Sequence, residues 1–153
     1  MRHAEAQAAQ PQVLDLQRPL TTRGQTEALD AAQCIADAGA RVDAVLASTS
    51  VRTRETAQIL AAHLDATIPI QFDAALYLGD VNALILRLQR CNARWQTVLL
   101  IAHNPGISEL ASLCMGKDQS IELRTAGLCQ AEFDRQSWRG LRPAAAASFK
   151  VLR

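Results

Sequence analysis

Aromatic residues are scarce in this chain: three phenylalanines, two tryptophans and one tyrosine, 4% of 153 residues. A surface that stacks nucleotide bases needs several aromatic planes, so single-stranded nucleic acid is not an expected partner. Charge of one sign is lacking too. Sixteen Lys and Arg face fifteen Asp and Glu, a formal net charge of +1, which leaves no polybasic footprint for a duplex. No apolar run approaches the roughly 20 residues that cross a bilayer. The opening MRHAEAQAAQPQ has no apolar stretch behind a basic start, so neither a secretory leader nor a membrane partner is expected. The four cysteines, Cys34, Cys91, Cys114 and Cys129, contain no C-x-x-C pair. That excludes a zinc knuckle or a redox dithiol and fits reduced thiols in a cytoplasmic protein. No repeat of roughly 20–50 residues is present.

What remains is an ordinary globular composition, 49% hydrophobic and 20% charged, over a length that suits one domain spanning residues 1–153. Apolar runs with strand character cover 43–48, 67–72 and 97–102. The last is apolar on both faces, as in a buried parallel sheet. Pro69 assigns 67–72 to a sheet edge. Later strands are expected in 123–133, with a bulge at Gly127, and in 148–152. Helical stripes run between them. Residues 22–38 carry Ala28, Leu29, Ala32, Ile35 and Ala36 and stop at Gly39. Residues 51–64 follow Ser50 as N-cap. Residues 80–91 begin at Asp80, and 107–115 end at Gly116. Strands alternating with helices predict an α/β fold, a three-layer α/β/α sandwich on a mostly parallel central sheet.

Three histidines are available for chemistry. His103 follows the best buried strand and precedes a helix, where open α/β sheets gather their ligands. His3 lies in Arg2-His3-Ala4-Glu5, and His63 sits within the 51–64 helix as ordinary surface or a satisfied core histidine. Arg52 falls in the first turn of the 51–64 helix, where a cation opposes the helix dipole and a bound anion would offset it. No cluster with metal-ligand spacing is present.

Four segments then converge: Arg2-His3-Ala4-Glu5, Arg18-Pro19-Leu20-Thr21-Thr22-Arg23-Gly24, Ser48-Thr49-Ser50-Val51-Arg52-Thr53-Arg54-Glu55-Thr56-Ala57 and His103-Asn104-Pro105-Gly106. In this order they resemble the histidine phosphatase superfamily, which includes the phosphoglycerate mutases. The R-P-L-T-x-x-G stretch and the small size resemble its SixA-type phosphohistidine phosphatases, and the resemblance runs from Arg2 to about Trp138. It implies a histidine phosphatase-like fold, His3 as the nucleophile that takes the phosphoryl group, and Arg2, Arg52 and His103 as the rest of the phosphate pocket. Arg18, Asp15 and Asn104 are further candidates to touch substrate. Neither cofactor nor metal is implied, because fixed arginines supply the positive charge. The implied substrate bears phosphate, and a phosphohistidine protein such as a phosphotransfer domain fits best. A phosphatase of small phosphoesters and a non-catalytic phosphate-binding module are the rivals.

The departures from the family pattern bear on mechanism. Thr49 stands where proline is common, and Ala102 where glycine is. The linker 72–80 is too short for the segment that carries the mutases' acidic glutamate, so no general acid is evident. Asp15 and Glu5 are the acids that could approach the pocket. The resemblance also places a strand before the R-H motif, whereas here only Met1 precedes it. A shortened start is expected, with His3 on a frayed terminus if that strand is absent.

Overall fold

The computed structural model describes residues 1–116, 119–134 and 137–153. Among these, three parallel strands form the central sheet: β1 (Ala44–Ser48), β2 (Ile70–Asp73) and β3 (Val98–Ile101), in the order β2-β1-β3. Val45 pairs with Ile70 on one side and with Leu99 on the other. Four helices accompany them: α1 (Thr22–Asp37), α2 (Val51–Leu64), α3 (Val81–Gln89) and α4 (Gly106–Met115).

The layers follow from the side-chain alternation of strands. Val45, Ala47, Leu99 and Ile101 pack with Ala28, Ala32 and Ile35 of α1 and Ala57 and Leu60 of α2. Leu46, Leu100 and Ala102 point the other way, onto Leu84 and Leu88 of α3 and Ile107 and Leu110 of α4. Helices therefore cover both sheet faces, as the three-layer reading expects. Right-handed crossovers give the same result: the step from β1 to β2 and the reverse step from β2 to β3 place α2 and α3 on opposite faces.

Pro69 precedes β2, which lies at the sheet edge as expected. Asp80 caps α3 by accepting the Ala83 amide at 2.8 Å, and Gly39, at φ 66°, follows the end of α1. Other expectations change. The 123–133 segment is a strand only over β4 (Cys129–Glu132), which pairs antiparallel with β5 (Ser148–Val151). Residues 123–128 are irregular, with Ala126 at φ 52° and a turn closed by the Gly127 amide on Arg124, so Gly127 forms no bulge. Leu29 is 46% exposed, and the buried stripe of α1 runs through Ala31 instead. Ser50 occupies the N-cap position of α2, but its hydroxyl bonds Thr53 Oγ1 rather than a backbone amide.

Residues 1–4 are pinned rather than frayed. Arg2 forms a parallel bridge with Ala102, the Met1 amine donates to the Leu100 carbonyl at 3.0 Å, and the Arg2 amide reaches the Gly127 carbonyl. These bonds hold His3 beside the carboxyl end of β3.

Gly24 tightens the same region. Its amide donates to the Thr21 cap at 2.9 Å, and a β-carbon there would collide with the carbonyl of Glu5. Gly24→Ala should therefore lower unfolding free energy by about 1–3 kcal/mol through overpacking. Gly39→Ala meets open space and bears only the left-handed backbone cost of roughly 1–2 kcal/mol. Urea unfolding of both variants checks this, and a Gly24→Ala protein as stable as wild type would show that the contact is loose.

Candidate active site

The carboxyl ends of β1 and β3 lie side by side, while their chains leave toward helices on opposite faces. This is the switch point at which α/β sheets open a crevice. Arg52 arrives from the first turn of α2, His103 from the end of β3, and His3 from the N-terminal segment. All three are buried, with 2%, 2% and 8% of their surface exposed. The two imidazole centroids are 5.0 Å apart.

The protons on both rings follow from their partners. His3 Nδ1 lies 2.7 Å from the Ala4 carbonyl, which can only accept, so Nδ1 carries the proton. Nε2 then presents a lone pair, and Arg52 Nε donates to it at 3.2 Å. A guanidinium is donor only, so His103 Nδ1, 3.3 Å from the same arginine, must accept. His103 Nε2 therefore donates to Ser48 Oγ at 2.6 Å. Ser48 passes its hydrogen to Thr53 Oγ1 at 2.7 Å, and Thr53 donates to the Ser48 carbonyl at 2.9 Å. Ser48 and Thr53 are buried, and they fix the ring that the sequence singled out without being singled out themselves.

Asp15 closes the arrangement from a short 3-10 turn, Asp15–Gln17. Its Oδ2 accepts from Arg52 at 2.9 Å, its backbone carbonyl accepts from the same guanidinium at 2.6 Å, and Oδ1 accepts from Arg18 at 2.9 and 2.7 Å. Tyr77, the only tyrosine in the chain, donates its hydroxyl to Oδ2 at 2.7 Å. The Tyr77 ring meets His103 edge-on at 5.4 Å. Sequence reasoning missed Tyr77. Its place a short turn beyond β2, in a chain with one tyrosine, was the available signal.

The remaining candidates divide. The charge of Arg2 acts on both imidazoles. One Arg2 guanidinium nitrogen donates to the Leu123 carbonyl at 3.0 Å, while the buried Nε has no partner among the described residues. Asn104 donates to the same carbonyl at 3.0 Å and accepts from Ser108 at 2.6 Å, so its bonds brace the loop rather than face a ligand. Arg18 is held by Asp15 and the Gln7 carbonyl. Glu5 accepts from Thr21 at 2.8 Å and pairs with Arg23 at 3.6 Å. His63 is exposed surface.

Burial, with Arg52, Arg2 and Arg18 nearby, lowers the pKa of His3 to about 4. Burial, His3 and Arg52 lower that of His103 to about 3. Both rings are neutral at pH 7, and His3 keeps its lone pair. The Tyr77 hydroxyl, then Arg18 and Arg52, hold the Asp15 carboxyl well below the usual range, so it is ionised and has no proton to give. Among the described residues no group of histidine, cysteine and acidic side chains could hold a metal ion.

Stability should follow the two rings. Below pH 6.5 the unfolded chain takes up imidazole protons that the folded site refuses, so stability is lost on acidification. Near pH 5 the difference approaches two protons, or roughly 2.7 kcal/mol per pH unit. The buried Met1 amine, lowered to about 6, adds loss of the same sign from pH 8 downward. Urea unfolding between pH 7.5 and 5 measures the slope. A flat profile would contradict burial of the neutral pair.

Comparison with known proteins bears on this geometry. The profile of the histidine phosphatase superfamily (branch 1) matches residues 1–77, half of the chain. An uncharacterized protein of Picosynechococcus is 32% identical over 130 residues, 83% of this chain and 79% of its own length. A solved structure from Agrobacterium tumefaciens, assigned provisionally as a phosphohistidine phosphatase SixA, is 28% identical with TM-score 0.76 over 83% of this chain and 84% of its own. A protein histidine phosphatase SixA solved with tungstate shares the fold, with TM-score 0.79 at 24% identity over 99% of this chain and 94% of its own. With the R-H segment, the buried arginine of α2 and the second histidine gathered at one crevice, the chain belongs to the histidine phosphatase superfamily.

Proposed function

We propose that residues 1–153 act as one phosphatase domain that removes phosphate from protein phosphohistidine through a covalent intermediate on His3. The observation that carries this is the His3 ring. Its Nδ1–H is anchored on Ala4, and its Nε2 lone pair is held beside Arg52 in a buried, cationic setting. In the first step Nε2 exchanges its Arg52 bond for the phosphorus, and the bond to the leaving group breaks with its electron pair. Water then attacks the phosphorus, the bond to Nε2 breaks, and inorganic phosphate leaves. Charge on the equatorial oxygens is met by Arg52 and by Arg2 with its unused Nε–H, while His103, whose one N–H is committed to Ser48, orients the Arg52 guanidinium through its Nδ1 lone pair. These cations take the part that metal ions play in other phosphoryl-transfer sites, so the reaction needs no metal or cofactor.

The substrate class follows from the acids. Asp15 is ionised and Glu5 is engaged by Thr21 and Arg23, so among the described residues no donor for an alkoxide is evident. A phosphohistidine leaves as a neutral imidazole once its ring is protonated, and needs no enzyme acid at cleavage. The SixA-type neighbour at 28% identity supports the same reading. The partner is then a phosphohistidine protein of the phosphotransfer type. With four unpaired cysteines, we place it in the reducing cytoplasm.

His3→Ala should abolish turnover and phosphoenzyme formation while phosphate still binds, because anion binding is shared with the arginines. Losing a nucleophile from a preorganised set costs several orders of magnitude. Acid-quench trapping of labelled phosphate reads the intermediate, and a variant keeping more than about a tenth of the rate would exclude covalent catalysis. The leaving-group dependence of kcat/KM should also be steep. A phosphohistidine peptide and activated aryl phosphates should react much faster than phosphoserine or alkyl phosphates. A shallow dependence would reveal an efficient acid and move the substrate to small phosphoesters.

A further inference from the structure

Tyr77 has no part in the reading above, yet its hydroxyl reaches Asp15 across 62 positions of sequence. We infer that Tyr77 is a positioning residue that acts through Asp15 to hold the Arg52 guanidinium in its phosphate-binding orientation. The inference rests on the proposed phosphatase site but can fail independently of it.

Asp15 is more exposed than the groups it organises: its side chain is 44% accessible, against 2% for Arg52. A carboxylate on an exposed turn has many rotamers, and holding one of them requires a fixed donor. Arg52 cannot serve, because it is the group to be held. Arg18 lies three residues away on the same stretch of chain and grips the other oxygen, Oδ1. Tyr77 comes from a different part of the chain, as the residue that ends the short 3-10 turn Ala74–Leu76 after β2, and grips Oδ2, the oxygen that Arg52 also uses. Its ring also contacts the surroundings of that guanidinium, edge-on to His103 at 5.4 Å and with Arg52 Cζ 5.9 Å from its centroid.

The backbone around Tyr77 is built for this placement. Leu78 adopts φ 51°, which is costly for a bulky residue, and leaves its side chain 58% exposed. The strain gains no burial for Leu78 itself, but it turns the chain directly after Tyr77. The next residue, Gly79, lies against Gly106 so closely that a β-carbon on Gly106 would collide with the Gly79 carbonyl. That contact fixes the Tyr77 segment to the His103-Asn104-Pro105-Gly106 loop. The hydroxyl is thus held relative to the second imidazole and passes that reference to Asp15, and from Asp15 to Arg52.

Tyr77→Phe removes one hydroxyl and keeps the ring. Binding of inorganic phosphate should weaken by about tenfold, the effect of one hydrogen bond to a charged group. Asp15→Asn should weaken it at least as much, and the double variant should be no weaker than Asp15→Asn alone, because the tyrosine acts through the carboxylate. Wild-type affinity in Tyr77→Phe, or losses that multiply in the double variant, would overturn the inference. Carboxyl NMR gives a second readout that a merely structural role would not move. Asp15 faces Arg18, Arg52, Tyr77 and His103, and its titration midpoint should rise in Tyr77→Phe. An unmoved midpoint would overturn the inference even in a protein that binds no phosphate. A wild-type chain that forms no phosphoenzyme would sink the phosphatase reading alone.

Discussion

One guanidinium sets the terms of this site. Arg52 is buried at the start of α2, where the helix dipole disfavours a cation, and it has only donors to offer. Every neighbour must therefore accept. The Asp15 carboxylate and carbonyl, His3 Nε2 and His103 Nδ1 are those acceptors. That requirement decides the tautomers of both imidazoles, and the tautomer of His103 in turn sets the direction of hydrogen bonding through Ser48 and Thr53. A lysine could keep the charge but not the planar fork that reaches three partners at once.

The scaffold supplies the positions this requires. β1 and β3 are adjacent and parallel, so the residues that follow them emerge together, one turning into α2 and the other into α4. The N-terminal segment extends the pairing beyond Ala102 and is stitched to residues 126–127 on its other side. Gly24 and Gly106 allow close backbone contacts behind the two histidine-bearing segments, and their motifs place glycine where a side chain would not fit. The same burial that orders the site depresses both imidazole pKa values, so the constraint that leaves a lone pair on His3 Nε2 is also the one expected to make the fold sensitive to acid.

The division of acid from base is equally physical. Asp15 could be a proton donor by position alone, but three donors stabilise its ionised form. Its role in this geometry is to orient the arginine. Glu5 is held by Thr21 and Arg23 on the side of α1. The proposal of a nitrogen leaving group rests on this division: the crevice gathers arginines, and its nearest carboxylate is held ionised.

Much of this was legible in the sequence because it is carried by local pattern. The apolar runs and stripes located β1, β3 and the four helices, Pro69 located the edge strand, and the R-H, R-P-L-T, S-T-S-V-R and H-N-P-G segments identified the residues that meet. Residues 123–128 were misread because their apolar character serves packing and backbone pairing to the N-terminal segment rather than a strand of their own. What only the tertiary structure decided lies in contacts with no sequence period: Tyr77 against Asp15, Ser48 against His103, Asn104 against Leu123. A hydrogen bond between distant segments depends on where two turns end in space, and side-chain identity alone does not encode that. The sequence by itself determined which groups could do phosphoryl chemistry; the fold determined which of them are neutral, which are ionised and which are committed to holding the others.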